Sequence, residues 1–162
     1  MSTFVTVGNA TQPFDRLLRA ISDMTVDLPA PIVVQRGSST MSHPAWDRRD
    51  FVGMDDFERL ITESRILIMH AGAGSVIHAV RAGRVPVVMP RRARYSEHVD
   101  DHQMEFAQAL ASTGHVMLAG EPAELRSAVR SVLNSHRKGA VEQTPLVEHI
   151  GQLLARLATE NR

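Results

Sequence analysis

The chain has 162 residues, 43% of them hydrophobic, and its 18 basic and 18 acidic side chains cancel at neutral pH. That length suits one domain, which buries roughly 70% of its unfolded surface; the balanced charge and 4% aromatic content exclude the electrostatic field and the stacking platforms of a nucleic-acid binder. The lack of cysteine excludes disulfides and thiolate zinc sites, and with no apolar run near about 18 residues and no signal peptide in Met1–Gly8 the expectation is a soluble, cytoplasmic protein.

Phe4–Val7 reads as a first strand, so early that nothing before it is expected to hold a second substrate. Phe14, Leu17, Leu18, Ile21 and Met24 keep the helical period after Pro13. Pro31–Gln35 is the next strand, Arg36–Asp50 reads as a loop rich in Gly, Ser and Pro, and Phe51–Val52 as a short strand. A helix over Asp55–Ser64 follows, with Asp55 or Asp56 as its cap, then a strand at Ile66–His70 and a helix over Ser75–Ala82 that Gly83 stops. Val85–Met89 and His115–Leu118 are further strands; Asp100–Ser112 is a helix between them that stops at Gly114, and Glu121–His136 is a helix with Pro122 in its first turn. Residues 1–137 thus make one domain, 138–145 a linker, and 146–162 an amphipathic helix. Its stripe of Leu146, Val147, Ile150, Leu153, Leu154 and Leu157 suits either its own sheet or a partner. Continuous rather than alternating apolar strands, separated by helices, predict an α/β, Rossmann-like, doubly wound parallel sheet.

The segment Ile66–Ser75, ILIMHAGAGS, is the most informative stretch. An apolar run ends in His70, and a glycine-rich turn leads to Ser75, which can cap a helix. Gly72 and Gly74 permit close backbone approach and positive φ. Such a turn aims N–H groups at an anion beyond the strand, and the helix end favours negative charge by about 0.3–1 kcal/mol. An ordinary strand–helix turn has the same pattern. A nicotinamide site fits poorly, because the third fingerprint glycine is missing and the turn follows the fourth strand; a P-loop is excluded because no Gly-Lys-Ser/Thr follows. His98 and His102 stand four apart around Asp100 and Asp101, yet no third cluster completes a ligand set, so a solvated polar segment is expected and no metal. Arg91, Arg92 and Arg94 form a short basic patch, read either as solvated loop charge or as a contact for an acidic sugar or anionic headgroups.

Three segments together resemble glycosyltransferase family 28: the opening FVTVGNATQPFDRLL, Phe51–Ser75 and Val87–Ala107, which reads VVMPRRARYSEHVDDHQMEFA. Within it the chain is similar to small bacterial exopolysaccharide glucuronosyltransferase subunits and to the soluble subunit of the two-part eukaryotic N-acetylglucosaminyltransferase of lipid-linked glycan assembly. The resemblance implies the carboxyl-terminal, donor-binding half of a GT-B enzyme. It implies a UDP-sugar as substrate, inverting transfer without cofactor or metal, and a membrane-anchored partner subunit that holds the lipid-linked acceptor at the inner face of the membrane. It implies further that Gly72, Ala73, Gly74 and Ser75 hold the diphosphate and that His70 stabilises the leaving phosphate. Gly53 and Met54, with Phe51, would line the uracil site; Glu97 and His98 would shape the loop over the donor; Asp101 and Gln103 would bind sugar hydroxyls. The chain departs from the family pattern at His78, where relatives carry a ribose-binding glutamate, and at Ser96 and Asp100, in place of Gly and Asn, which leaves the sugar open. The general base is expected from the partner. A free-standing homodimeric transferase and a non-catalytic nucleotide-sugar sensor, the latter favoured by His78, are the alternatives.

Overall fold

In a computed structural model, residues 2–135 and Gln152 are described. Six strands, the central ones rich in valine and isoleucine, pair side by side, all in parallel, joined by crossovers rather than hairpins. The strands are β1 (Thr3–Thr6), β2 (Ile32–Gln35), β3 (Trp46–Arg49), β4 (Ile66–His70), β5 (Val87–Met89) and β6 (Met117–Leu118). The helices are α1 (Asp15–Asp23), α2 (Met54–Glu63), α3 (Ala73–Arg81), α4 (His102–Ser112) and α5 (Pro122–Ser135). Strand order is β3-β2-β1-β4-β5-β6, with Phe4 opposite Val33 on one side and Leu67 on the other. This is the doubly wound sheet expected from the sequence.

Every residue of β1, β2, β4 and β5 is buried, because helices cover both faces. On one face Val5, Val34, Ile68 and Val87 pack against Leu17, Leu18 and Ile21 of α1 and Leu125, Val129 and Val132 of α5. On the other, Phe4, Val33, Leu67, Met69 and Val88 meet Phe57, Leu60 and Ile61 of α2, Val76 and Val80 of α3, and Phe106 and Leu110 of α4. Alternate strand residues therefore feed two separate cores, as a pleated sheet requires.

The third strand is not Phe51–Val52. It lies at Trp46–Arg49, inside the segment read as a loop. As an edge strand it has one ladder to fill and one buried side chain, Trp46, whose indole N–H donates to Thr25 Oγ1 at 3.2 Å. Asp47 and Arg48 are exposed, so hydropathy carries no strand signal there. Phe51 lies beyond the strand, 57% exposed. The linker at 138–145, the helix at 146–162 except for Gln152, and the end of the Glu121–His136 helix lie outside the described residues. Among the described residues no helix is long and apolar enough to cross a membrane.

Candidate functional site

The chain winds outward from β1 through β2 and β3 in one direction, and from β4 through β5 and β6 in the other. Neighbouring crossovers therefore part company at the carboxyl ends of β1 and β4, which opens a crevice there. It has a volume of about 340 Å³. Its walls bring together His70, Gly72, Gly74, Ser75 and Met54, all expected from the sequence, with Thr6, Gly8, Asn9, Gln35, Val52, Phe57 and His78.

His70 ends β4 and is 8% exposed. Its ring is clamped between two glycines. A Cβ on Gly8 would stand 2.5 Å from the ring's Nε2 and Cε1, and one on Gly72 would stand 2.2 Å from Nε2. Gly8 also has a φ of +78°, so both the backbone and the space require glycine there. Burial holds the imidazole down at about 4, with the nearby Arg91 charge and His98 adding to the effect and the Thr6 backbone opposing it. His70 is therefore neutral at pH 7. Its Nδ1 is buried with no hydrogen-bond partner among the described residues.

The adjacent helix supplies donors. Val76 N–H bonds the Gly72 carbonyl at 3.0 Å, so the amides of Ala73, Gly74 and Ser75 precede the first intrahelical bond. The cap is Gly72, not Ser75, and no side-chain bond closes it; Ser75 is the third helical residue. Gly72, with φ −72°, uses no left-handed backbone, and Gly74 is helical, so their role is space. Nothing lies within 4 Å of where a Gly74 Cβ would be. These three amides have no intrahelical acceptor, and the helix amino end borders the same open crevice as the neutral His70, a setting for an anion.

A polar chain that the sequence reading missed forms the floor. The Thr6 hydroxyl donates to Gln35 Oε1 at 2.9 Å and accepts the Gly8 N–H at 3.1 Å, and Gln35 Nε2 donates to Asn9 Oδ1 at 3.0 Å. The available signal was positional: Thr6 and Gln35 are polar residues ending apolar runs on the strands beside the switch point. On the rim, Met54 is 58% exposed beside Val52. Gly53 caps α2 without lining the crevice. His78 stands edge-on to the Phe57 ring, its Nδ1 3.7 Å from Glu58 Oε1.

The remaining expected residues, Glu97, His98, Asp101 and Gln103, lie outside the crevice lining, in and just after the β5–α4 loop. There they bind the loop itself. Glu97 is buried, with its carboxylate accepting from Arg16 Nε and Nη2, both at 2.9 Å, and from the Arg92 N–H. Asp101 Oδ1 accepts the Ala93 N–H at 2.9 Å and Arg92 Nε at 3.3 Å; that amide, more than the guanidinium, holds its carboxyl below the usual range. Gln103 Oε1 accepts the Arg91 N–H, and Asp100 sits between His98 and His102. Among the described residues no group of three or more His, Asp or Glu is placed to hold a metal. The basic patch loses one member: Arg91 is fully buried, leaving Arg92 and Arg94 in the loop.

The chain is 32% identical over 91 residues to the UDP-N-acetylglucosamine transferase subunit ALG13 of Yarrowia lipolytica, covering 56% of this chain and 43% of that protein. It is 43% identical over 67 residues to the subunit of the same name in Cryptococcus neoformans var. neoformans serotype D, covering 40% and 32%. The chain thus matches less than half the length of either relative. In fold it is similar to the glycotransferase of kitacinnamycin (TM-score 0.62, 17% identity), over 97% of this chain and 38% of that one. It is likewise similar to the calicheamicin glycosyltransferase CalG4 (TM-score 0.57, 18% identity), over 97% and 39%. The fold is therefore that of one part of these larger transferases. The model of the glycosyltransferase family 28 C-terminal domain matches residues 2–148, nearly the whole chain, and the protein belongs to that family.

Proposed function

We propose that this chain is the donor-binding subunit of a two-component inverting glycosyltransferase, taking a UDP-sugar and presenting its anomeric carbon to a lipid-linked acceptor held by a membrane-anchored partner. One observation carries the reading: the amino end of α3, where Gly72, Gly74 and Ser75 line the crevice, stands in the same open crevice as the neutral, glycine-flanked His70. The relatives, UDP-N-acetylglucosamine transferase subunits by name, support it and favour an N-acetylhexosaminyl donor.

In this reading the diphosphate rests on the α3 amides and the Ser75 hydroxyl. As the bond from the anomeric carbon to the phosphate oxygen breaks, negative charge grows on the UDP. Fixed amide dipoles and an N–H of the neutral imidazole meet that charge without reorganising. A neutral ring also spares the site the cost of a buried cation when the donor is absent. The uracil lies toward Val52, Gly53 and Met54, and the sugar toward the β5–α4 loop with Asp101 and Gln103. No carboxylate or imidazole among the described crevice residues is free of other duties and placed as a base, so the base for the acceptor hydroxyl comes from the partner.

Calorimetry with UDP and a UDP-sugar panel, followed by transfer assays with and without the membrane-anchored partner, tests the reading. UDP binding with transfer only in the mixture supports it. Transfer by this chain alone identifies a free-standing enzyme, and binding without transfer in either case identifies a sensor.

A further inference from the structure

Arg91 follows β5 by two residues and is fully buried, an expensive location for a guanidinium. Its Nη2 donates to the Val7 carbonyl at 2.7 Å; its Nη1 donates to the Gln12 carbonyl at 2.9 Å and the Glu97 carbonyl at 3.1 Å. Its own N–H is held by Gln103. All three side-chain acceptors are main-chain oxygens of two loops, the one leaving β1 and the one leaving β5. Among the described residues no carboxylate pairs with it directly; Glu97's carboxylate is taken up by Arg16 and the Arg92 amide. Nε has no partner among the described residues.

The guanidinium also ends a stack. Arg91 lies 4.8 Å from the Phe14 ring centre; Arg16 lies 5.4 Å from Phe14 and 4.8 Å from Tyr95; Arg94 lies 4.7 Å from Tyr95. Three cations and two rings alternate from the buried floor to the exposed loop, with Glu121 bridging Arg16 and Arg94 at the outer end.

Well-packed apolar side chains would fill this space at lower desolvation cost. What a guanidinium supplies instead is a planar fork that fixes several acceptors at once. The carbonyl it holds most closely, Val7, immediately precedes Gly8, which lies so near the His70 ring that a Cβ there would stand 2.5 Å from it. We propose that Arg91 is a positioning residue for diphosphate binding: its fork sets the Val7–Gly8 backbone against His70 and ties the β5–α4 loop to the same point. This rests on the donor-binding reading. The charge acts on His70 as well. The groups bearing on that ring are Arg91 at the end of β5, His98 in the loop, His78 of α3 across the crevice, and Glu97 through its contact with Arg91.

The test compares wild type, Arg91→Lys and Arg91→Met by UDP calorimetry and by NMR titration of the His70 ring in the ligand-free protein. Arg91→Met should lose at least tenfold in UDP affinity, and His70 should titrate above its wild-type midpoint. Arg91→Lys keeps the charge without the fork, so it should lose affinity while the ring titrates close to wild type. Arg84→Met, destabilised at the opposite end of the sheet, should change neither readout. Wild-type affinity in either Arg91 variant, or an unmoved His70 titration in Arg91→Met, overturns the proposal. Should Arg91→Met fail to fold, the affinity of Arg91→Lys decides. A wild type that does not bind UDP refutes the donor reading, and the His70 titration then still tests the contact with Arg91.

Discussion

Replacing Gly72 by alanine isolates the clamp on His70. Gly72 and Gly53 are both helix caps in extended backbone, with φ near −70° (−72° and −69°). Alanine suits either backbone, and both sites lose the same modest preference for glycine over alanine at a cap. They differ in surroundings. A Cβ at Gly53 meets nothing within 4 Å, whereas at Gly72 it stands 2.2 Å from His70 Nε2 and 2.8 Å from Cδ2. A Cβ at Gly8 would likewise stand 2.5 Å from Nε2, so the ring is crowded from both glycines and must shift to admit the methyl group. Overpacking of this kind costs about 1–3 kcal/mol, which for a domain of this size lowers Tm by roughly 2–12 °C. Gly72→Ala should therefore melt that much below Gly53→Ala in thermal denaturation. It should also lose UDP affinity, since the displaced ring moves into the crevice. Adding His70→Ala removes the obstacle, so the double variant should be more stable than the two single losses sum to. Equal melting of Gly72→Ala and Gly53→Ala, or strict additivity with His70→Ala, refutes the clamp.

Other substitutions probe other parts. Gly74→Asp has open space and places a carboxylate in the first turn of α3, so Tm should hold or rise while UDP binding disappears in calorimetry; retained affinity would remove the phosphate from this helix end. Burial holds His70 at about 4, whereas an unfolded histidine titrates near about 6.5. The unfolded chain thus takes up the extra proton first, and His70's contribution to stability, complete above pH 6.5, is lost as pH falls toward 4. His70→Gln should flatten the wild-type dependence of denaturation midpoint on pH in that window, and an unchanged slope would contradict the buried neutral ring. Gln103→Ala should weaken UDP-sugar binding more than UDP binding; equal losses place Gln103 away from the sugar. The Arg84 guanidinium donates to the carbonyls of Ile61, Thr62, Ser64 and Arg65 just where α2 ends. Arg84→Met should destabilise by about 1.5–3 kcal/mol in urea melts, with UDP affinity intact.

The parallel sheet was legible because buried central strands leave long apolar runs, as in Ile66–His70, and the intervening helices keep their period. β3 was not, because one buried tryptophan followed by Asp47, Arg48 and Arg49 carries no hydropathic signal; its partner β2 decides it. Within the site, ILIMHAGAGS located the helix end and His70, but local spacing misassigned the work. Ser75 looked like a cap, though the helix begins two residues sooner, and Gly72 looked like a turn residue, though its purpose is the imidazole beside it. Arg91 read as surface charge because a sequence shows an arginine's charge and not the three carbonyls, distant in the chain or across a loop, that let it be buried. Thr6, Gly8, Asn9 and Gln35 belong to the crevice only through the strand order, which no local motif encodes.

The sheet's two margins differ from its interior. One is the charged β3, the other the two-residue β6. Neither invites a foreign strand to dock by main-chain pairing, since charge and brevity both discourage it. Contacts with any second protein would thereby fall to side-chain surfaces, where charge and shape can discriminate, and these margins resist the indiscriminate stacking that exposed, apolar ribbons promote.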